Sequence, residues 1–216
     1  MVKNKQGLLS KEKLLVGNKE KNTELVKKYL AQWEEFRNGK MKELEQCLSV
    51  VFKSHPANTN LNEVLIKVSL LNDFYSTHIL DTYSVAKVIH SMNIDAKLKA
   101  GDLNLVNEIV DTIDEKTKCN KQYSFITKYC SFHQPNLFPI YDGDNQEILH
   151  AYKTEYNLSE FDFTKKSLKE DFKNYLKEDY KNYVKAIEDY KKVFCLEEFS
   201  YKEIDRFNWT FCEINK

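Results

Sequence analysis

Apolar residues recur along most of the chain at spacings of three and four, which is the period of a helix with one buried face. Leu25, Tyr29, Trp33 and Phe36 open the pattern, with Asn22 and Thr23 placed to start the helix, and the Asn38–Gly39 pair breaks it. Met41, Leu44, Leu48 and Phe52 form a second such face, followed by a loop over His55–Asn60. A more apolar helix begins at Asn62 and carries Val64, Leu65, Val68, Leu71 and Phe74. Further helices are predicted over Tyr83–His90 and Leu103–Ile113, the latter capped by Asp102, with a polar turn over residues 114–120. Asn120 would cap a helix running from Tyr123 to Phe132, and Asp144 with Glu147 has capping-box spacing for the next one. Leu168, Phe172, Tyr175, Leu176, Tyr180, Tyr183, Ile187, Tyr190 and Phe194 then predict one long helix with an aromatic stripe. Most of that stripe is expected to pack in the core, with Tyr180 and Tyr183 as candidate exposed contacts for a partner. A last helix carries Trp209.

Composition supports the same class. Five glycines and three prolines in 216 residues are too few for a turn-rich β architecture, so the expectation is an all-α protein. Residues 1–22 hold six lysines against two glutamates and no firm period, and read as a basic N-terminal arm. Residues 23–216 read as a single helical domain.

Charge and cysteines narrow the function classes. With 33 basic and 33 acidic residues there is no broad basic surface for tight duplex binding. The five cysteines are odd in number, and none forms a CxxC pair, so reduced thiols in a cytoplasmic protein fit best. No run approaches the ~18 apolar residues of a membrane span. The five histidines show no metal-ligand spacing, and neither a metal nor a cofactor is expected.

The chemistry concentrates in Lys121–Asp142, KQYSFITKYCSFHQPNLFPIYD, which holds two of the three prolines. Lys121, Phe125, Lys128 and Phe132 share one helical face. An amine beside two phenylalanines loses hydration, which lowers its pKa and exposes the nucleophilic form. Pro135 ends the helix, and Pro139 keeps the return extended. The seven residues from Pro135 to Asp142 span about 23 Å when extended, enough to bring the carboxylate back alongside Lys128 or Lys121. The competing reading gives Asp142 to a helix cap and Lys128 to a packed surface from which its amine reaches water. His133 is placed to hydrogen-bond the return.

Three segments together resemble the prokaryotic proteins with an 8-oxoguanine DNA glycosylase (OGG) fold, a distant branch of the helix-hairpin-helix glycosylases. They are LLNDFYSTHI (Leu70–Ile79), YSFITKYCSFHQPNLFPIYD (Tyr123–Asp142) and YKEIDRFNW (Tyr201–Trp209). The resemblance implies a helix-hairpin-helix-like helical bundle and an N-glycosylase/lyase acting on a modified purine-type base. Asp142 is then the aspartate that faces the developing sugar cation. Lys128 occupies the SF-x-x-K position of this branch, and Lys121 the helix start where the wider superfamily places its nucleophile. Asn72, Tyr75, Thr77 and Phe125 would line the base pocket, with Asp205 and Trp209 closing it. The superfamily's hairpin has a glycine-rich turn that grips DNA phosphate, whereas the corresponding stretch here, DEKTKCNKQ, has no glycine. A free, single-stranded or conjugated nucleobase is therefore expected as readily as damaged duplex. Some relatives look like components of antiphage systems that signal through cyclic nucleotides (CBASS), which would make other defence proteins partners. The alternative is a catalytically silent nucleotide-, nucleic-acid- or protein-binding module of the same fold.

Overall fold

A computed structural model describes Leu15 and residues 18–119, 122–156 and 177–215. Among the described residues the protein is all helical, with no strand. The helices are α1 (Lys19–Glu35), α2 (Lys40–Ser54), α3 (Leu61–Tyr75), α4 (Thr82–Ser91), α5 (Asp95–Ala100), α6 (Asn104–Lys116), α7 (Tyr123–His133), α8 (Gly143–Tyr156), α9 (Tyr180–Val193) and α10 (Tyr201–Ile214). None of them is long and apolar enough to cross a membrane.

Helix α7 is the hub. Phe125, Ile126, Thr127, Lys128, Tyr129, Cys130 and Ser131 are all buried, as expected of a helix covered on every side. It packs against α2, α3 and α6, while α10 packs on α1 and α8. The aromatic stripe of α9 completes the core: Tyr180, Tyr183 and Tyr190 are fully buried. Tyr180 and Tyr183 are thus core residues and not an exposed partner surface.

Several boundaries differ from the sequence expectation for local reasons. Helix α1 starts at Lys19, because Asn18 accepts from the Lys21 amide and takes the cap assigned to Asn22. Asn22 is instead buried and donates to the Phe194 carbonyl at 2.8 Å. Leu15 is buried as well, and its amide donates to the Tyr152 hydroxyl at 3.2 Å, so at least these parts of the N-terminal segment dock on the domain. The rest of the arm, residues 1–14, 16 and 17, lies outside the described residues.

Asp102 accepts from the Asn104 amide, one position earlier than a standard cap, and α6 runs on to Lys116 into the expected polar turn. Asn120 and Lys121 lie outside the described residues; α7 begins at Tyr123 with no side-chain cap from Gln122. The predicted long helix is interrupted: Asp179 is extended (φ −141°, ψ 125°) and caps α9 by accepting from the Lys181 amide. The earlier part of that prediction, Leu168–Leu176, lies outside the described residues. Between α1 and α2, Arg37, Asn38 and Gly39 are all left-handed, which accounts for the break read at Asn38–Gly39.

Candidate active site

The site is assembled around a cavity of about 520 Å³, a size that suits a small organic ligand. Four elements supply its chemistry. Helix α7 brings Ser124, Phe125 and Lys128, and the return after α7 brings Asp142. The end of α3 brings Tyr75 and Thr77, and α10 brings Asp205, Arg206 and Trp209.

Lys128 is 5% exposed. Its Nζ donates to Ser124 Oγ at 2.7 Å, one turn earlier on the same helix, and lies 5.0 Å from the centre of the Tyr75 ring. Burial pushes the ammonium pKa down; Asp142 and Asp205 partly restore the charge, and Lys202 opposes it. No described carboxylate lies within 4.0 Å of the amine. The site therefore holds a partly desolvated lysine near two carboxylates without locking it into an ion pair.

Asp142 both lines the cavity and caps the next helix, as the helix-cap reading expected of it. Its Oδ1 accepts from the Asn145 amide at 2.8 Å, and its carbonyl accepts from the Gln146 amide at 3.0 Å. Asp142 itself caps α8, in place of Asp144. The capping geometry and the cavity position coexist, because a cap uses one carboxylate oxygen.

Asp205 faces the same space. Asn145 Nδ2 donates to Asp205 Oδ1 at 2.7 Å. Burial and the neighbouring Asp142 charge raise the Asp205 carboxyl to about 7, against the opposing pull of Lys202 and Lys128.

The walls are aromatic. Tyr75, Phe125, Trp33 and Trp209 line the cavity, and Trp209 is held edge-on by Phe36 at 4.9 Å between ring centres. Arg206 lies 4.3 Å over Trp33, with Nη2 donating to Glu45 Oε1 at 2.7 Å. Glu45 holds the Nε and Nη2 edge of the guanidinium, so Arg206 braces the wall.

Of the residues expected in the site, the structure brings together Lys128, Asp142, Tyr75, Thr77, Phe125 and Trp209. Asn72 does not line the cavity. Its amide accepts from Thr77 Oγ1 (2.7 Å) and the Ile79 amide (2.9 Å) and donates to the Ile79 carbonyl (3.1 Å). It staples a turn in which Ser76 (φ 48°) and His78 (φ 58°) are left-handed, a conformation costly for residues other than glycine. His133 does not touch the return: its Nε2 sits 3.3 Å from Lys67 Nζ. Lys121 lies outside the described residues.

Ser124 and Asn145 carry the site's geometry without having stood out in the sequence. Ser124 was legible as the position one turn before Lys128. Asn145 has no local signal for its second contact, which comes from α10. Among the described residues no group of three or more His, Cys, Asp or Glu side chains is placed to hold a metal ion.

Fold and cavity together define an all-helical protein with a buried lysine and two carboxylates on an aromatic-walled pocket. Residues 25–137 match the HI_0787_N family, described as an N-terminal domain. A relative, an uncharacterized protein of Haemophilus influenzae, is 34% identical over 155 residues, covering 70% of this chain and 67% of the relative. The chain belongs to the HI_0787_N family. No solved structure matches it. The matched segment ends at Leu137, so it includes Lys128 and stops before Asp142 and Asp205.

Proposed function

We propose that this protein is an N-glycosylase/lyase that removes a modified purine-type base from a nucleotide or nucleic acid. The observation that carries this reading is the placement of Lys128, Asp142 and Asp205 on one cavity walled by aromatic rings. Flat rings favour a heterocyclic base. Breaking an N-glycosidic bond builds positive charge on the sugar, which a facing carboxylate stabilises. The neutral Lys128 amine attacks C1′ as the base leaves, and the resulting adduct opens to a Schiff base from which strand cleavage can follow. A base within a duplex must first be flipped out, whereas a free or single-stranded one enters directly.

The test is borohydride trapping with single-stranded and duplex oligonucleotides carrying one modified purine, run beside high-performance chromatography of released base. Wild type gives a covalent adduct, and Lys128→Ala abolishes it. Asp142→Asn slows base release by about 10²–10³-fold, the usual cost of losing one electrostatic partner of the transition state. An adduct that persists in Lys128→Ala assigns the nucleophile elsewhere, with Lys121 next.

A silent binding module is the second reading. It draws on the engagement of Asp142 Oδ1 in the α8 cap and of Lys128 by Ser124. Quenching of tryptophan fluorescence by free purine bases, lost in Trp209→Leu and accompanied by no base release, selects it.

A further inference from the structure

We propose that Asp205 is the acid that protonates the departing base, and that Asn145 is the residue that positions it against Asp142. This rests on the glycosylase reading and adds a second carboxyl role to it.

The argument starts from Asn145. It is 2% exposed and touches both carboxylates: its backbone amide donates to Asp142 Oδ1 at 2.8 Å, and its Nδ2 donates to Asp205 Oδ1 at 2.7 Å. The same Nδ2 lies 3.1 Å from the Ile140 carbonyl, and Asn145 Oδ1 accepts from Asn208 Nδ2 at 2.8 Å. Asn208 in turn accepts from the Tyr190 hydroxyl at 3.1 Å. A chain of buried hydrogen bonds thus fixes the rotamer that presents Asn145 to both acids. Asp142 comes from the start of α8 and Asp205 from α10, and Asn145 is the residue that hydrogen-bonds to both.

The two carboxyls sit in different surroundings. Asp142 is at the N-terminus of α8, where its Oδ1 accepts from the Asn145 amide. Asp205 lies mid-helix, and no described donor reaches its Oδ2, which is the oxygen free to carry a proton. The charged and titratable groups around it are Tyr75 on α3, Lys128 on α7, Asp142 on the return, Tyr183 on α9, and Lys202 and Arg206 on its own helix. Like charge on Asp142, together with burial, keeps Asp205 protonated up to about pH 7. A carboxyl kept protonated beside a second one can take the acid role.

The step balances. The C1′–N bond to the base breaks and its electron pair goes to the base. The Asp205 proton is delivered to a base nitrogen, and the base leaves neutral. The Lys128 amine forms the new C1′–N bond and passes a proton to Asp142. Solvent exchange then returns a proton to Asp205.

Two probes separate this inference from the reading beneath it: single-stranded oligonucleotides carrying either 8-oxoguanine, neutral at pH 7, or 7-methylguanine, already cationic and needing no proton to leave. In Asp205→Asn, release of 8-oxoguanine falls by about 100-fold or more, the usual weight of a general acid, while release of 7-methylguanine falls by less than about threefold. Asn145→Ala keeps the backbone contact to Asp142 and removes the donor that favours the Asp205 anion. It slows 8-oxoguanine release and moves the alkaline limb of its pH–rate profile upward, which lost stability alone would not do. Equal losses on both probes in Asp205→Asn overturn the acid role and leave the glycosylase reading standing. An unmoved limb in Asn145→Ala overturns the positioning role. Release of neither base by wild type overturns the glycosylase reading and the inference with it.

Discussion

Lys67 and Lys128 are both buried lysines, and they differ in how many acceptors hold them. Lys67 is fully buried; its Nζ donates to the His55 carbonyl (3.0 Å), the Ala57 carbonyl (2.9 Å) and Asn58 Oδ1 (2.9 Å). All three ammonium protons are used, and the amine holds the loop before α3 in place. Burial lowers its pKa to about 8 and, with the Lys67 charge beside it, drives His133 down to about 3, so that histidine is neutral. Lys128 has Ser124 as its one described hydrogen-bond partner, which leaves donors for a ligand. Lys67→Met strands the His55 and Ala57 carbonyls, while Asn58 Oδ1 keeps the Tyr129 hydroxyl, and should cost about 2 kcal/mol or more in urea unfolding. Lys128→Met leaves only a hydroxyl that can turn, and should cost less than about 1 kcal/mol while abolishing adduct formation. Asp205 makes a pH prediction at the same scale. Its folded pKa of about 7 lies above the unfolded value of 3.8, so the stability it lends is full below pH ~4 and is lost as pH rises through about 7. Asp205→Asn removes that alkaline loss. Its melting temperature should exceed that of wild type at pH 8, by an amount equivalent to roughly 1–4 kcal/mol, and the gap should close towards pH 4.

At the scale of elements, the return after α7 decides where Asp142 sits. Pro139 restricts it, but hydroxyls from two helices hold it. Tyr180 donates to the Pro139 carbonyl at 2.6 Å, and Tyr183 donates to the Ile140 carbonyl. Thr127 Oγ1 accepts from the Tyr141 amide at 3.1 Å and lies 3.3 Å from the Tyr141 carbonyl. Each bond satisfies a backbone group in a segment with no regular partner. Thr127→Val keeps the shape and removes the acceptor for the Tyr141 amide. It should cost about 1–3 kcal/mol and lower kcat more than it raises KM, because it displaces Asp142 and leaves the aromatic walls alone. The prolines made a fixed return legible in the sequence, and the three- and four-residue spacings of Phe125 and Phe132 from Lys128 made the face legible. The hydroxyls were not, since Tyr180 and Tyr183 read only as part of an apolar stripe. Their phenolic ends find acceptors some 40 residues away in the chain, which no local period records. Caps were the least legible feature. Asn18 and Asp179 each took a cap that the apolar pattern placed elsewhere or did not foresee, because a cap is chosen by backbone geometry among several suitable side chains.

Across the whole molecule, the two ends of the chain close one core around α7. Tyr29 on α1 meets Phe207 and Phe211 on α10, each at 5.7 Å between ring centres. Asn22 bonds to the Phe194 carbonyl, and Leu15 to the Tyr152 hydroxyl. Tyr123 meets Tyr141 edge-on at 5.0 Å. Every one of these contacts joins a residue before Leu137 to one after it. The family match ends at Leu137, within the connection that follows α7, so that boundary cuts through a continuous core and through the site. A fragment spanning residues 18–137 would leave Tyr29, Phe36 and Tyr123 without the rings that pack on them, those of Phe207, Phe211, Trp209, Tyr141 and Tyr180. Exposing large aromatic side chains costs about 1.5–3 kcal/mol each in lost burial, and several such losses exceed the whole stability of a typical domain. The fragment should therefore retain helical far-ultraviolet dichroism, bind the dye ANS and unfold without a sharp transition, whereas the full chain should unfold cooperatively in urea. A cooperative transition in the fragment, with no dye binding, would show instead that the helices up to α7 make a self-sufficient domain, and that Asp142 and Asp205 are brought to Lys128 by docking of a second unit.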